Sequence, residues 1–366
     1  MQIYIHIPFC KKKCNYCDFC SQSLGMEENY VIALLEEIKI QGKNFGDKVV
    51  DTVYFGGGTP SVLPVGQLKK IVDELNDNFC LKTIERSIEG NPESLTREKL
   101  QEYRDCGFNR VSIGVQSLDD EVLKTAGRLH NSKTAIVAIE NAIEIIGNVS
   151  VDIMLGLPKQ TFQSAVDTAD SLMNYDLKHI SCYALKLEEN TPLALSVSRG
   201  DLILPNEDIT TDMFDAVSAC IVENGYSRYE VSNFAKDGYE CKHNIGYWDR
   251  EEYLGLGASA HSLINETRFS NIDNVSKYID WINEVKAGKQ DYNHNITALT
   301  KTDIRFERIM LGLRKTCGIP KSYFRGYEKQ LEKFADFFIS TKENNIALTK
   351  RGFEIMNSIL CEFIED

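Results

Sequence analysis

The sequence lacks any apolar run that approaches the roughly 20 residues needed to span a bilayer, and residues 1–10 lack the charged-then-apolar plan of a signal peptide. It also lacks an excess of positive charge. Its 41 Lys and Arg stand against 54 Asp and Glu, and the net charge of −13 opposes attraction to phosphate backbones and anionic membranes. Internal repeats and proline-rich linkers are absent as well. We therefore expect a cytoplasmic protein without a transmembrane segment or a nucleic-acid partner.

The composition that remains is that of an ordinary folded chain, with 43% hydrophobic and 26% charged residues. Its 366 residues exceed one average domain of roughly 150, so we expect one large α/β unit with an appendage. A peptide hormone or a lone recognition module is excluded. The 11 cysteines are an odd number in a large chain without a secretion signal, so their spacing is more informative than a disulfide count.

Strand-like and helix-like patterns alternate along most of the chain. The strand candidates are 2–8, 49–55, 84–89, 110–116, 149–155, 179–185 and 226–232. The amphipathic helix candidates between them are 27–42, 65–78, 96–106, 131–146, 161–175 and 208–224. This alternation predicts parallel strands joined by right-handed crossovers, in a barrel or an open sheet, with the chemistry at the carboxyl ends of the strands.

The pattern changes near Asn295, where helical stretches follow one another without intervening strands. These stretches are 302–314, 321–338 and 348–364. We therefore predict two domains, an α/β domain over residues 1–295 and a small, mainly helical domain over residues 296–366.

Four cysteines lie within 11 residues directly after the first strand, in the sequence CKKKCNYCDFC that runs from Cys10 to Cys20. Thiolates select zinc, copper(I) or iron-sulfur clusters, and an electron-transfer cluster usually takes four of them. Three thiolates would leave one iron open to a small molecule. If a sulfonium compound binds at that iron, one electron from the cluster would cleave the carbon-sulfur bond of the compound. The sulfonium compound that this chemistry requires is S-adenosylmethionine. Structural zinc is the alternative, although it normally uses two separated ligand pairs rather than one loop.

The CxxxCxxC spacing after the first strand resembles the signature of the radical S-adenosylmethionine (SAM) superfamily, whose fold is a partial (β/α)6 barrel. The segment from Tyr4 to Phe19 is similar to the branch that contains oxygen-independent coproporphyrinogen III oxidase and related heme chaperones. The resemblance implies a 4Fe-4S cluster held by Cys10, Cys14 and Cys17.

The same resemblance implies that Tyr4 and Tyr16 lie beside the cluster and SAM. Cys20 is left out of the ligand set. The oxidase typically has its fourth cysteine two residues after the third, whereas Cys20 follows Cys17 by three. We expect Cys20 to be a free thiol near the site.

The second and third strands end in further candidates for cofactor binding. The second runs into GGGTPS, where glycines let the backbone approach a ligand closely, although a tight turn alone would also use them. By resemblance, Gly57, Gly58 and Thr59 contact the methionyl end of SAM. The third strand ends at Glu89, which the family interpretation makes an acceptor for ribose hydroxyls. On residue statistics alone, Glu89 would be a solvated loop residue or a helix cap.

Polar residues at the fourth and fifth strands have two interpretations that the sequence leaves open. In the resembled oxidase, the residues matching Gln116, Arg128 and Asp152 line a second SAM or substrate pocket. The alternative is an internal pair of Arg128 and Asp152 that braces the barrel. In either case Asp152 interrupts an apolar run and needs a partner, because an unpaired buried carboxylate is costly.

Two histidines bracket a glycine-rich segment further along, His243 in the motif HNIGYW and His261 after LGLGASA. A neutral imidazole is a good axial ligand for heme iron, and Tyr247 and Trp248 offer flat apolar surfaces to a porphyrin. A histidine near aromatic residues is more often a structural residue that satisfies both ring nitrogens locally. The HNxxYW pattern is characteristic of the heme-chaperone branch, which makes His243 the candidate heme ligand and His261 a pocket residue.

Two features favour the chaperone branch over the oxidase: the HNxxYW motif, and the presence of only three residues ahead of Tyr4, where the oxidase carries a longer segment. The resemblance then implies a protein that binds heme, a 4Fe-4S cluster and SAM and delivers heme to respiratory acceptor proteins. An electron donor to the cluster is a further expected partner, and homodimerisation stays open. The alternative is an oxygen-independent coproporphyrinogen III oxidase that decarboxylates propionates by radical chemistry.

Overall fold

The computed structural model describes residues 1–292 and 295–364. Within these residues the main feature is a sheet of 12 strands, seven of which are neighbours that run parallel. In spatial order the seven are β11 (Tyr253–Leu256), β1 (Gln2–Ile7), β4 (Val49–Gly57), β5 (Cys80–Gly90), β6 (Arg110–Gln116), β7 (Val149–Leu155) and β8 (His179–Ala184). Short antiparallel strands extend both edges: β10 (Asn233–Ala235) and β9 (Ser227–Arg228) beyond β8, and β12 (His261–Ile264), β13 (Thr267–Ser270) and β14 (Thr297–Ala298) beyond β11.

Helices connect the parallel strands, so that β1, β4, β5, β6, β7 and β8 are each followed by at least one. The helices up to residue 286 are α1 (Glu27–Phe45), α2 (Val65–Asn78), α3 (Arg97–Asp105), α4 (Asp120–Thr125), α5 (Ser132–Ile145), α6 (Phe162–Leu172), α7 (Pro192–Ser198), α8 (Glu207–Glu223), α9 (Lys242–Trp248) and α10 (Val275–Lys286). The short pair β2 (Phe9–Cys10) and β3 (Gln22–Ser23) closes the cysteine loop. The predicted α/β class with a partial (β/α)6 barrel is confirmed.

Side chains at the helix starts explain several boundaries. Asn131 accepts a hydrogen bond from the backbone of Thr134 at the start of α5. Thr161 and Ser164 form a reciprocal capping box at the start of α6. Such caps satisfy backbone N–H groups that a first helical turn leaves unpaired.

The centre of the sheet is covered on both faces. Every residue of β6 is buried, as is typical of a parallel strand between two helical layers. The main apolar core packs β1, β4, β6 and β7 against α1, α2 and α5. The carboxyl ends of these strands share one edge of the sheet.

The predicted strand 226–232 is wrong in extent. This segment contains only β9, and the following β10 pairs antiparallel with β8. The carboxylate of Glu230 accepts a hydrogen bond from the backbone N–H of Ser232, which turns the chain between the two short strands. A tight connection of this kind produces an antiparallel pair, since a parallel strand needs a long crossover.

After residue 300 the structure contains α11 (Lys301–Gly312), α12 (Glu328–Lys333), α13 (Lys350–Glu354) and α14 (Met356–Cys361). It also contains a three-stranded antiparallel sheet of β15 (Ile319–Pro320), β17 (Asn345–Leu348) and β16 (Phe338–Ser340), which the sequence did not predict. The single helix predicted over 321–338 is broken, and Gly326 with φ +90° lies ahead of α12.

These elements share a second apolar cluster, which includes Ile309, Leu313, Phe324 and Phe363. The domain boundary at 295 stays a prediction. Among the described residues, none of the helices has the length and apolar character to cross a membrane.

Candidate cluster and cofactor site at the mouth of the barrel

The carboxyl ends of the central strands open into one cavity of about 310 Å³, here called the cluster cavity. Most of the residues predicted from the sequence line it: Cys10, Cys14, Tyr16, Cys17, Gly57, Gly58, Thr59, Glu89, Gln116, Arg128 and Asp152. Two predicted residues do not. Tyr4 lies in a neighbouring cavity, and His243 lines neither.

The cysteine loop carries three thiols into this cavity. Its turn is held by a hydrogen bond from the N–H of Cys17 to the carbonyl of Cys14. The Cys10 thiol lies 3.4 Å from the Thr59 hydroxyl, and Nη1 of Arg128 donates to the sulfur of Cys14 over 3.2 Å. Burial raises the pKa of Cys10 and of Cys17. Arg128 therefore supplies the positive charge beside sulfurs that must become thiolates to bind iron.

Cys20 is separated from the other three thiols. Its sulfur donates a hydrogen bond to the carbonyl of Asp273 at 2.9 Å, and its side chain lines the neighbouring cavity. Its predicted place outside the cluster ligands stays a prediction.

The glycine run forms a cradle against the first strands. Gly57 has φ +112°, and a Cβ at this position would lie 2.6 Å from the ring of His6. A Cβ on Gly58 would lie 2.8 Å from the carbonyl oxygen of Phe9. Side chains are therefore excluded at both positions, which keeps the backbone open toward the cavity.

Glu89 is a buried carboxylate at the end of β5. It accepts hydrogen bonds from the Tyr54 hydroxyl at 2.9 Å and from the N–H of Gly57 at 3.2 Å. Burial raises the pKa of Glu89 to about 7, and the nearby Asp152 adds to the increase. The carboxyl group can therefore accept or donate a hydrogen bond near neutral pH.

Arg128 and Asp152 do not form the direct pair that was one of the two alternatives. Arg128 donates from Nη2 to Asn91 at 2.7 Å and to the carbonyl of Gly114 at 2.5 Å. Asp152 accepts from the Ser112 hydroxyl at 3.3 Å. Within residues 1–292 and 295–364, no ion pair joins the two.

Two polar atoms in the wall of the cluster cavity are buried without a hydrogen-bond partner among the described residues, Oε1 of Gln116 and Nε of Arg128. Gln116 also has φ +67°, a strained conformation for a residue other than glycine. Unsatisfied buried groups and backbone strain are characteristic of ligand-binding positions.

The donor set fits a 4Fe-4S cluster with SAM beside it. In the described part of the chain, no three His, Cys, Asp or Glu side chains converge on one metal-ion position. A multi-iron cluster does not need such convergence, because its thiolates bind different irons. The glycine cradle and the unpaired groups supply the adjacent polar space.

The neighbouring cavity has a volume of about 430 Å³ and is mainly aromatic; we call it the aromatic cavity. Most of its residues come from β1, β11, β12, β13, the end of α9 and α11, and Phe19 and Cys20 come from the cysteine loop. Phe19 lines both cavities and forms their common wall. Tyr4 contributes a hydroxyl 3.1 Å from Nδ1 of His6, and Nε2 of His6 lies 2.9 Å from the carbonyl oxygen of Cys20.

His243 is buried in α9 with 1% of its surface exposed. Its Nδ1 lies 2.8 Å from the Thr52 hydroxyl and its Nε2 lies 3.0 Å from the Tyr247 hydroxyl. Burial lowers the pKa of His243 to about 3, so the ring is neutral. Its assignment as a heme ligand stays a prediction, and iron binding would require one of these hydrogen bonds to break.

Sequence reasoning missed several lining residues. Asn91 links Arg128 to the Thr59 hydroxyl, with 3.1 Å between its Nδ2 and Oγ1 of Thr59. Asn91 could have been predicted as a site residue, because it follows Glu89 by two residues at the end of a strand. Arg268 and Leu311 of the aromatic cavity belong to no recognisable sequence motif. The cavity is formed by residues that are far apart in the sequence, so no local pattern indicates it.

Comparisons with known proteins agree with this geometry. Residues 4–172 match the model of the radical SAM superfamily. The chain is 36% identical to the heme chaperone HemW of Bacillus subtilis, over 99% of this chain and 98% of that protein. It is 33% identical to the heme chaperone HemW of Lactococcus lactis, over 99% of this chain and 97% of that protein.

Among solved structures, coproporphyrinogen III oxidase (HemN) from Escherichia coli matches with a TM-score of 0.84 at 23% identity, over 99% of this chain and 89% of that one. That likeness concerns the fold alone. The full-length similarity to the curated chaperones assigns the family: the chain belongs to the HemW family of the radical SAM superfamily.

Proposed function

We propose that this protein is a cytoplasmic heme chaperone that binds heme, a 4Fe-4S cluster and SAM and delivers heme to a respiratory acceptor protein. The observation that carries the proposal is similarity to curated heme chaperones along nearly the whole chain. An electron donor to the cluster is part of the proposal. The arrangement of the cluster cavity supports the cofactor assignments.

A 4Fe-4S cluster bound by three thiolates has one iron open to SAM and can supply it with an electron. Cys10, Cys14 and Cys17 would hold the cluster, with Arg128 offsetting the negative charge at Cys14. Tyr16 lies beside Arg128, with its hydroxyl 3.5 Å from Nη1.

The remaining residues of the cluster cavity would bind SAM. Gly57 and Gly58 leave space for its methionyl end beside Thr59, while Glu89 and Oε1 of Gln116 are acceptors for its hydroxyl and amino groups. Asp152 also lines this cavity and would offer its carboxyl group to the cofactor.

The test is an anaerobic incubation of cluster-reconstituted protein with SAM and a reductant, supplied in parallel with ferric heme or coproporphyrinogen III. Absorption spectroscopy measures bound heme, chromatography measures porphyrin products, and an added heme-free acceptor protein reports transfer. We expect stable heme binding and transfer without decarboxylation. Decarboxylated porphyrin would overturn the proposal in favour of the oxidase. Zinc in place of iron and acid-labile sulfide would exclude the cluster.

A further inference from the structure

The aromatic cavity combines an accessible imidazole, flat apolar walls and two cations beside the cluster cavity. Resting on the proposed function, we propose that this cavity is the heme seat, with His261 as the axial ligand and Arg268 paired with a heme carboxylate. This differs from the ligand that the sequence motif favoured, His243.

The size and walls of the cavity suit a porphyrin. Its volume of about 430 Å³ lies within the roughly 300–1,000 Å³ of small-molecule sites. Tyr247 packs edge-on against Tyr253 with ring centroids 4.7 Å apart, and Trp248, Leu263 and Leu311 continue the apolar wall. Aromatic and aliphatic surfaces of this kind favour a flat apolar ring.

Among the described histidines, His261 is the exposed one, and its ring faces the aromatic cavity. Each other histidine in residues 1–292 and 295–364 has at least one ring nitrogen in a hydrogen bond: His6, His130, His179 and His243. The ring of His261, exposed at the start of β12, has no hydrogen bond to the described residues, while its backbone pairs with β13. A neutral imidazole nitrogen without a partner is the group that heme iron takes as an axial ligand. Burial and the charge of Arg268 lower the pKa of His261, which favours the neutral form.

The charges in the cavity suit the propionates of heme. Arg250 and Arg268 line it, and no Asp or Glu is among its described lining residues. Arg250 pairs with Glu266 through Nη1 and with Glu307 through Nε, and only 4% of its side chain is exposed, so its remaining Nη2 is buried. Arg268 donates from Nε to Glu307 at 2.6 Å and from Nη1 to Tyr253 at 3.0 Å, which leaves Nη2 without a partner among the described residues. Arg268 is thus positioned to pair with a carboxylate.

The experiment is a titration of the full-length, cluster-reconstituted protein with ferric heme, followed by absorption and resonance Raman spectra. His261→Ala is expected to weaken heme binding about tenfold or more and to remove the imidazole-ligand signature. Free imidazole should restore that signature. Cluster content and SAM binding should stay at the wild-type level, which separates loss of a ligand from loss of the fold.

Two further variants test the seat itself. Leu311→Trp should weaken heme binding by filling the cavity while His261 remains. Arg268→Gln should weaken it severalfold, whereas the matched control Arg199→Gln, at an exposed arginine outside both cavities, should not.

The outcomes separate the two proposals. A wild-type protein that does not bind heme overturns the proposed function and this inference together. If the wild type binds heme and His261→Ala binds it with the same affinity and spectrum, the inference alone is overturned. In that case, loss of the imidazole signature in His243→Phe would return the ligand role to His243.

Discussion

The cluster cavity and the aromatic cavity share a wall but are built differently. The first consists of thiols, glycines and polar side chains at consecutive strand ends, which are close in the fold because parallel strands end at one edge. The second combines Tyr4 and His6 of β1 with Leu311 of α11, which are widely separated in the sequence. Local motifs thus encode the chemistry of the cofactor, whereas the tertiary structure alone assembles the surface that we propose for heme.

His6 and Phe19 connect the two cavities. Phe19 lines both, and the ring of His6 lies in the aromatic cavity while its edge fills the space that a side chain at Gly57 would need. These two residues are the contacts through which the walls of the two cavities meet.

The largest effect should come from removing a cluster ligand. Cys14→Ala is expected to abolish the cluster, because two thiolates are too few to hold it, and to leave iron and acid-labile sulfide near background. Cys20→Ala is the matched control in the same loop and should retain both. Equal loss in the two variants would contradict the separation of Cys20 from the cluster cavity.

A second change tests the contact between the cavities. Gly57→Ala should reduce the free energy of unfolding by about 2–4 kcal/mol, because it combines a strained backbone with a clash against His6. Gly200→Ala is the matched control, since Gly200 also has a positive φ but has open space around its Cβ position. Urea unfolding measures both variants. A similar loss in the two would mean that the ring of His6 moves aside without cost.

A third change concerns the pH dependence that Glu89 brings to the cluster cavity. The pKa of Glu89 rises from 4.5 in the unfolded chain to about 7 in the fold, so the folded state binds more protons between these values. Its contribution to stability is complete below pH 4.5 and is lost as the pH rises through 7. The loss amounts to at most about 3 kcal/mol.

In Glu89→Gln the loss of stability between pH 5 and pH 8 should disappear. The measurement is urea unfolding of the wild type and the variant at these two pH values, at equal cluster content. SAM affinity should fall in the variant as well. If the free energy of unfolding changes equally between pH 5 and pH 8 in the wild type and the variant, Glu89 has an ordinary pKa in the folded protein.

The sequence predicted the barrel well because its signals are local. Strand-like apolar patterns gave the exact bounds of β6 and β7, and amphipathic patterns gave the starts of α5 and α6 within a residue, where the structure has Asn131 and Thr161 as caps. Because parallel strands end at one edge of the sheet, the sequence also predicted that the cysteine, glycine and carboxylate motifs lie together.

The remainder could not be predicted because it depends on tertiary contacts. The short β10 pairs antiparallel with β8 on one side and with β9 on the other, and β15, β16 and β17 are too short to give a periodic signal. Likewise, the sequence showed His243 among aromatic residues but not that Thr52, from β4, occupies its Nδ1.

The smallest expected effect separates the two histidines of the heme question. Tyr247→Phe removes the hydroxyl 3.0 Å from Nε2 of His243 and leaves that buried nitrogen without a partner, at a cost of about 1 kcal/mol in the free energy of unfolding. It also frees the nitrogen that His243 would need to bind iron. If His243 is the ligand, heme affinity should rise in this variant. If His243 instead fixes Tyr247 in the wall of the aromatic cavity, heme affinity should fall slightly and the spectrum should keep its imidazole signature.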